Sequence, residues 1–381
     1  MRLRMRVFGP VLIVLALVGL TTVPAAASSA APRWLAKPSA FLDGVACPSV
    51  SLCFAVGVQN TPNHDSLTLI ERWDGHSWSK VWSPNQYAEN GLYAISCAGP
   101  KFCVAVGNTG EGFEQHSGAL GAIWTGGAWR RTAVISPSIG RYDIQAGLDT
   151  VSCPVAGWCM AAGSFSLSGL VDGYSNGKWY LVPAQVTSGY NQWTSFSCRT
   201  TTYCLGLDDW TGGEYDQGVK VMKFTGTQWW QTPTSSGGWP FLALTCHGTP
   251  ACVSVGSVNT VPIARIQDGV RWKPIPVELG DGPSELSAIR CLAAAHCLAV
   301  GSTDQNSGPK GTGQSAFAEW WNGHSFVHEH IVIPSGDQSV LNAVACPTPN
   351  LCVVVGTENN RTLIEQSPTP AGPWSVVQEE R

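Results

Sequence analysis

The sequence predicts an all-β fold: a seven-bladed β-propeller with four antiparallel strands per blade and one disulfide inside each blade. Three observations predict it. The pair Cys-x5-Cys occurs seven times and uses all 14 cysteines. Its copies recur every 45 to 56 residues, a period typical of repeat arrays and propellers. Between the copies lie short strand-like runs broken by Gly, Pro and Asp-Gly turns.

Residues 1–27 read as a secretory signal. Arg2, Arg4 and Arg6 form a basic start, Val7 to Leu20 an apolar run, and Ala25-Ala26-Ala27 a small-residue cleavage site. The run is too short and wrongly flanked for a transmembrane span. No cysteine follows the cleavage site for lipid attachment, and no C-terminal anchor signal is visible, so a secreted, extracellular monomer is expected. Residues 28–40 form a linker or closing strand, and residues 41–381 the propeller. Its repeats fall at approximately 41–84, 91–137, 147–184, 192–234, 240–277, 285–335 and 340–380. A net charge of −4 with 13% charged residues leaves no basic face for nucleic acid or anionic membrane.

The first repeat shows the grammar. Leu42 to Cys47 is a short strand, a second begins at Cys53, a third runs from Leu67 to Trp73, and a fourth from Trp78 to Trp82. Asp74-Gly75 turns the chain between the last two, and Ser83-Pro84 stops it. Two positions before each first cysteine stand Val45, Ile95, Val151, Phe196, Leu244, Ile289 and Val344. One position earlier stand only small residues: Gly44, Ala94, Thr150, Ser195, Ala243, Ala288 and Ala343. Neighbouring strand residues face opposite sides. One bulky and one small face suit a blade wedged between two others near an axis.

The pairs Cys47/Cys53, Cys97/Cys103, Cys153/Cys159, Cys198/Cys204, Cys246/Cys252, Cys291/Cys297 and Cys346/Cys352 flank five-residue hairpin loops. An even count in an exported chain implies disulfides, and this spacing matches no zinc knuckle. Facing residues of a non-hydrogen-bonded pair lie about 4.5 Å apart, within disulfide reach. Each closed loop contributes roughly 2.4 kcal/mol in the chain-entropy account. Aromatics repeat as well: Trp73/Trp78, Trp124/Trp129, Tyr174/Trp179 and Phe224/Trp229 flank the third turn, with Trp272, Phe326 and Trp374 in later copies. Such cross-strand pairs belong to the fold. The last repeat can draw its fourth strand from Trp374–Gln378 or from Arg33–Lys37.

The pattern seen as LDGVAC, CFAVG and ERWDGHSW in the first repeat resembles the cysteine-paired propeller repeats of secreted actinobacterial proteins. That resemblance covers nearly the whole mature chain and implies the propeller fold and export. The Asp74-Gly75…Trp78 turn is loosely similar to the Asp-box of sialidase-type propellers. That box places Ser or Thr where Arg72 stands here, so sialidase chemistry does not follow.

In such a meander the cysteine hairpins and Asp-Gly turns share one end, which reads as structural. The variable loops Val58–Ser66, Asn108–Gly118, Asp208–Gln217 and Ser302–Ser315 share the other, where function is expected. Repeat 4 departs most, replacing Ala-Val-Gly with Gly206-Leu207-Asp208. Its candidate ligand-binding residues are Asp208, Asp209, Trp210, Glu214, Tyr215 and Asp216, with Trp239 and Tyr190 on flanking links. Carboxylates beside aromatics suit carbohydrate, and the same oxygens suit Ca2+; no other cofactor or metal is expected. Trp193 takes the core place held by Leu42, Leu92 and Leu148.

A second set stands four residues before each first cysteine: Asp43, Tyr93, Asp149, Thr194, Leu242, Ser287 and Asn342. Asp43 and Asp149 with Tyr93 between them would be the catalytic group of a glycoside hydrolase or lyase. Three motifs carry less. Gly173–Gly177 fits GxSxG but falls on a hairpin turn, not a strand-turn-helix elbow. His328 and His330 share a strand face as a metal pair without a third ligand. Asn360-Arg361-Thr362 is a glycosylation sequon. The reading that results is a secreted non-enzymatic binding or scaffold module for extracellular glycan or a protein partner, with the hydrolase or lyase as its alternative.

Overall fold

This computed structural model describes residues 39–379, apart from 64, 111–116, 136–145, 167, 185–189, 212–216, 233–240, 247–250, 270, 279–283, 294–295, 304–313, 330, 333–337 and 370. The described residues belong to one compact unit, Lys37–Arg381. The signal-like segment and Arg33–Lys37 lie outside the described residues. Among the described residues no helix is long and apolar enough to cross a membrane.

The described residues form 28 strands. In the first repeat Ala40–Ser49, Leu52–Asn60, Ser66–Trp73 and Trp78–Lys80 pair antiparallel in chain order. The same order recurs along the chain. Hydrogen bonding groups the strands into five four-stranded sheets and one of eight. The eight-stranded sheet is two such meanders joined by one parallel pair, Ser66 with Glu89. The first strand of each meander lies innermost and packs against the next, and Ser339–Thr348 packs back on Ala40–Ser49. The fold is thus an all-β propeller of four-stranded antiparallel blades. Asn342 Nδ2 donates to Leu42 O at 2.9 Å across the closing seam. The outermost strand of the last meander is Ser375–Glu379, paired with Arg361–Ser367.

All seven cysteine pairs form disulfides, one per meander: Cys47–Cys53, Cys97–Cys103, Cys153–Cys159, Cys198–Cys204, Cys246–Cys252, Cys291–Cys297 and Cys346–Cys352. Their Cα atoms lie 3.9 to 4.2 Å apart. Two details correct the expectation from spacing. The loop is shorter than five residues, because the ladder resumes beyond the bridge: Ser49 pairs with Leu52, Val155 with Trp158 and Thr348 with Leu351. Direct facing also holds for only three pairs, Cys97 with Cys103, Cys198 with Cys204 and Cys291 with Cys297. At Cys47/Cys53, Cys153/Cys159 and Cys346/Cys352 a register shift interrupts the ladder at the bridge. Cys246 and Cys252 lie just outside the paired strands Phe241–Thr245 and Val253–Val258.

The cysteines are also core residues rather than loop markers. The second of each pair, Cys53, Cys103, Cys159, Cys204, Cys252, Cys297 and Cys352, is wholly shielded from solvent at 0% exposure. Cys159 packs with Val151 and Leu148, Cys252 with Leu205 and Leu244, and Cys352 with Leu298 and Val344. Each bridge therefore contributes apolar contact as well as closure. Seven disulfides suit an oxidising, extracellular environment.

The core lies in the seams between blades. At the closing seam Leu42, Val45, Leu69 and Trp78 pack with Val353, Val355 and Ile364. The repeated aromatics serve the outer hairpins: Trp73 and Trp78 rings lie 5.9 Å apart, Trp124 and Trp129 6.0 Å, Tyr174 and Trp179 5.3 Å. In the first of these turns Asp74 Oδ1 accepts from the His76 and Ser77 amides at 2.9 Å each, and Gly75 takes φ of 101°. These hydrogen bonds hold the Asp74 carboxyl below the ordinary range. Ser175 of the GxSxG sequence ends a strand, and Asn176-Gly177 is the two-residue turn behind it.

The third strand carries acids in the seams. Glu71, Asp172, Glu319 and Glu365 are fully buried. Glu365 Oε2 accepts the Val332 amide at 3.2 Å. Val332 follows the outer strand of the preceding meander. The Glu365 carboxyl therefore ties the chain leaving one blade to the middle of the next. Burial pushes Asp172 up to about 7 and both Glu319 and Glu365 up to about 8.

Candidate functional site

The set found four residues before each first cysteine has a common backbone cause. In every inner strand the ladder skips one residue: Leu42 and Gly44 face consecutive partners, leaving Asp43 over. The skipped residues of the other six are Tyr93, Asp149, Thr194, Leu242, Ser287 and Asn342. These are β-bulges, which leave the extra residue out of the ladder and re-aim its side chain. All seven are half-buried. A ring of inner strands thus presents seven side chains of mixed chemistry.

The second-strand glycine explains how the bulge fits. Gly57 faces Leu42, and a methyl group there would overlap the Phe41 carbonyl. Gly107 stands in the same relation to Gly91. Only a residue without Cβ admits that approach. In the fourth repeat this position is Asp208, facing Trp193. There the close approach moves elsewhere: Gly206 makes room for the Trp193 ring, which a methyl would meet at 2.5 Å.

Asp43, Tyr93 and Asp149 stand on three consecutive inner strands. Asn342 Nδ2 reaches Asp43 Oδ1 at 3.4 Å, Tyr93 Oη donates to Asn108 Oδ1 at 2.9 Å, and Gln192 Nε2 donates to Asp149 Oδ2 at 3.3 Å. Dehydration pushes Asp43 up to about 6 and also raises Asp149. Tyr93 is raised by burial first and then by the charges of Asp43 and Asp149. The three groups therefore share one electrostatic environment. A cavity of about 170 Å3 beside Tyr93 is lined by Asn108, Glu89, Asn90, Ser66 and Ser117 but not by Asp43 or Asp149. The amide partners Asn342, Asn108 and Gln192 were not singled out by sequence reasoning, except Asn342 as a ring member. They lie on strands whose pairing decides what each side chain meets.

The repeat 4 acids are placed differently from a loop. The strand Tyr203–Thr211 extends through Asp208, Asp209 and Trp210, which pair with Lys220, Val219 and Gly218. Strand pairing continues there because Gln217–Phe224 supplies an unbroken run of partners in register. Asp208 is buried at 3% exposure, and burial lifts it to about 7 against the opposing pull of Lys220. Asp209 is exposed. Glu214, Tyr215, Asp216 and Trp239 lie outside the described residues, as does His330. His328 Nδ1 lies 3.2 Å from Glu319 Oε1.

No family profile and no curated protein matches the sequence. Solved structures do resemble the fold. One is YCF48 from Cyanidioschyzon merolae, at 11% identity and TM-score 0.54, covering 88% of this chain and 98% of that one. Another is the tricorn protease, at 10% identity and TM-score 0.54, covering 90% of this chain and 35% of that one. A third is Chaetomium thermophilum Sqt1 bound to the N-terminus of ribosomal protein L10, at 10% identity and TM-score 0.49, covering 90% and 88%. At such identities the likeness establishes a propeller fold and nothing of its chemistry.

Proposed function

We propose that the chain is a secreted, seven-bladed propeller that serves as a non-enzymatic binding scaffold for a cell-envelope glycan or a protein segment. Residues 1–27 act as the export signal, in keeping with the actinobacterial repeats that the sequence resembles. Counting each disulfide-bearing meander of the eight-stranded sheet as a blade brings the total to seven. The binding reading is carried by the bulge ring. Seven equivalent backbone positions hold Asp, Tyr, Asp, Thr, Leu, Ser and Asn, a varied surface such as recognition uses. Asp209 extends the site on the fourth repeat, and Trp210 follows it on the same strand.

The test is binding to immobilised cell-wall polysaccharide and to a glycan array. Asp43→Asn/Asp149→Asn is expected to weaken binding about tenfold or more, as loss of charge-assisted hydrogen bonds does. Trp210→Ala is expected to weaken it further, with no turnover of the bound polymer. Binding indifferent to all three changes would refute the placement. A second reading is favoured by the two dehydrated carboxylates around Tyr93: a glycoside hydrolase or lyase. Product release by the native chain that disappears in the double Asn variant selects it.

A further inference from the structure

The residue immediately before each first cysteine is Ala46, Ser96, Ser152, Ser197, Thr245, Arg290 or Ala345. Six are small. The three serines tie inner strand to inner strand: Ser96 Oγ accepts the Cys153 amide, Ser152 Oγ that of Cys198, and Ser197 Oγ that of Cys246, each at 3.0 Å. These side chains thus run along the wall of the central bore. At the sixth place the wall carries a long cation instead.

Arg290 lines two joined spaces. The narrower, of about 80 Å3, is walled by Val45, Ile95, Ser96 and Val344 from three other inner strands, so the Arg290 side chain reaches across the bore toward them. The wider, of about 570 Å3, opens at the hairpin end, and its walls include Pro48, Ala98, Leu292, Pro347 and Pro349. Both also touch Cys47, Cys97 and Cys346. The small residues Ala46 and Ala345 leave the room that the guanidinium uses. Among the described residues no hydrogen bond or ion pair reaches that guanidinium. Dehydration lowers it to about 10, which leaves it charged at neutral pH. It is a half-buried cation without a counter-charge among the described residues, an arrangement that an anion satisfies.

Of the residues lining these two spaces, Arg290 and His296 are the basic ones and none is acidic. None of the seven five-residue stretches between paired cysteines contains Asp or Glu, although the chain has 26. They carry Lys101, Arg199, His247 and His296. The bulge ring on the same inner strands holds Asp43 and Asp149 instead. The two parts of one channel therefore differ in charge.

We propose that the hairpin-end mouth of the channel binds a carboxylate borne on a small apolar body, with Arg290 as the anion contact. A planar guanidinium matches a carboxylate in two parallel hydrogen bonds. The volume lies in the range of small-ligand sites, which are mostly apolar with a few placed polar groups. One cation among proline, alanine and leucine walls suits a monoanion with an apolar side, not a phosphate dianion. The group comes from a free organic acid or from the C-terminal residue of a polypeptide. The inference is independent of any glycan bound at the opposite mouth.

Calorimetric titration of the intact, oxidised chain tests it with three probes. These are N-acetyl-leucine, N-acetyl-leucine amide and the free acid of N-acetyl-Ala-Ala-Ala-Leu. The acids are expected to bind at least about tenfold more tightly than the amide, the loss expected when a charge-assisted contact goes. Arg290→Gln removes that difference, and Arg290→Lys retains part of it. Equal binding of acid and amide, or no heat from either acid, overturns the proposal, and this comparison needs no variant to fold. A single-residue acid that binds as well as the tetrapeptide assigns a free acid; a tetrapeptide that binds better assigns a chain terminus.

Discussion

Replacing Glu365 with glutamine is expected to change the pH dependence of folding more than its magnitude under acid. In the native chain Glu365 is fully buried, its Oε2 accepting the Val332 amide at 3.2 Å, and its Oε1 has no partner. Burial lifts it from 4.5 to about 8. A carboxyl raised on folding favours the folded state fully below its unfolded value, and that support is lost as pH climbs toward the folded one. Between pH 5 and pH 7 the unfolded group releases its proton while the folded one keeps it. That difference costs the native state about 2.5 kcal/mol for this residue alone. Glutamine keeps an oxygen for the Val332 amide and cannot ionise in the unfolded chain. At pH 5 the variant should unfold within about 1 kcal/mol of the native chain. At pH 7 it should be more stable by about 2 kcal/mol. Urea unfolding followed by tryptophan fluorescence at both pH values, with disulfides intact, measures the pair. Equal differences at pH 5 and pH 7 would show that Glu365 ionises freely in the folded chain, and the reasoning would fail.

Two further outcomes are expected. Cys97→Ala/Cys103→Ala should lower unfolding free energy by about 2.4 kcal/mol, the closure entropy of a seven-residue loop, read as a shift in urea midpoint; no shift would mean the hairpin is held by its ladder alone. Asp43→Asn should lower the Tyr93 pKa, because the Asp43 charge opposes phenolate formation. Difference absorbance near 295 nm during alkaline titration reads this, and an unchanged Tyr93 step would separate the two groups.

How much of this was legible in sequence depends on the range of the interaction concerned. Cys97 facing Cys103 and Trp73 beside Trp78 are contacts within one hairpin, and spacing alone implies them. Spacing did not reveal that Cys159, Cys252 and Cys352 end up wholly buried, since the apolar partners that cover them come from other strands. The bulge at Asp43 is also non-local. It arises because the Phe41 carbonyl turns onto Gly57 of the neighbouring strand, and the visible trace was only a recurring glycine. Asp208 read as a loop acid because it breaks that glycine pattern. Its place in the strand follows from pairing with Lys220, which no local rule supplies. Glu365 occupies on its third strand the place that Glu71 takes in the first repeat, each facing the second-strand residue two before the glycine. Its burial depends on Val332 of another repeat, a partner that only the assembled ring provides. Arg290 drew no notice in sequence, because the space it lines is built by residues of three other inner strands.

These ranges bear on how the fold divides its labour. Each hairpin is closed by its own disulfide, and the outer turns by their own aromatics or Asx turns, so a blade holds its shape largely through contacts inside itself. The seams are held by apolar faces and by the Glu365 carboxyl, which binds the preceding link. Two columns stand out against this, the bulge residues and the residue before the first cysteine, because their chemistry varies most strongly or breaks its own rule. A serine at the second column adds a hydrogen bond to the next blade, as Ser96 does to Cys153. Arginine forgoes that bond at Arg290. A structural role alone gives no reason to place an unpaired cation in the bore, because alanine at Ala46 and Ala345 completes the same wall without its dehydration. The departure is explained when something enters the channel to meet it.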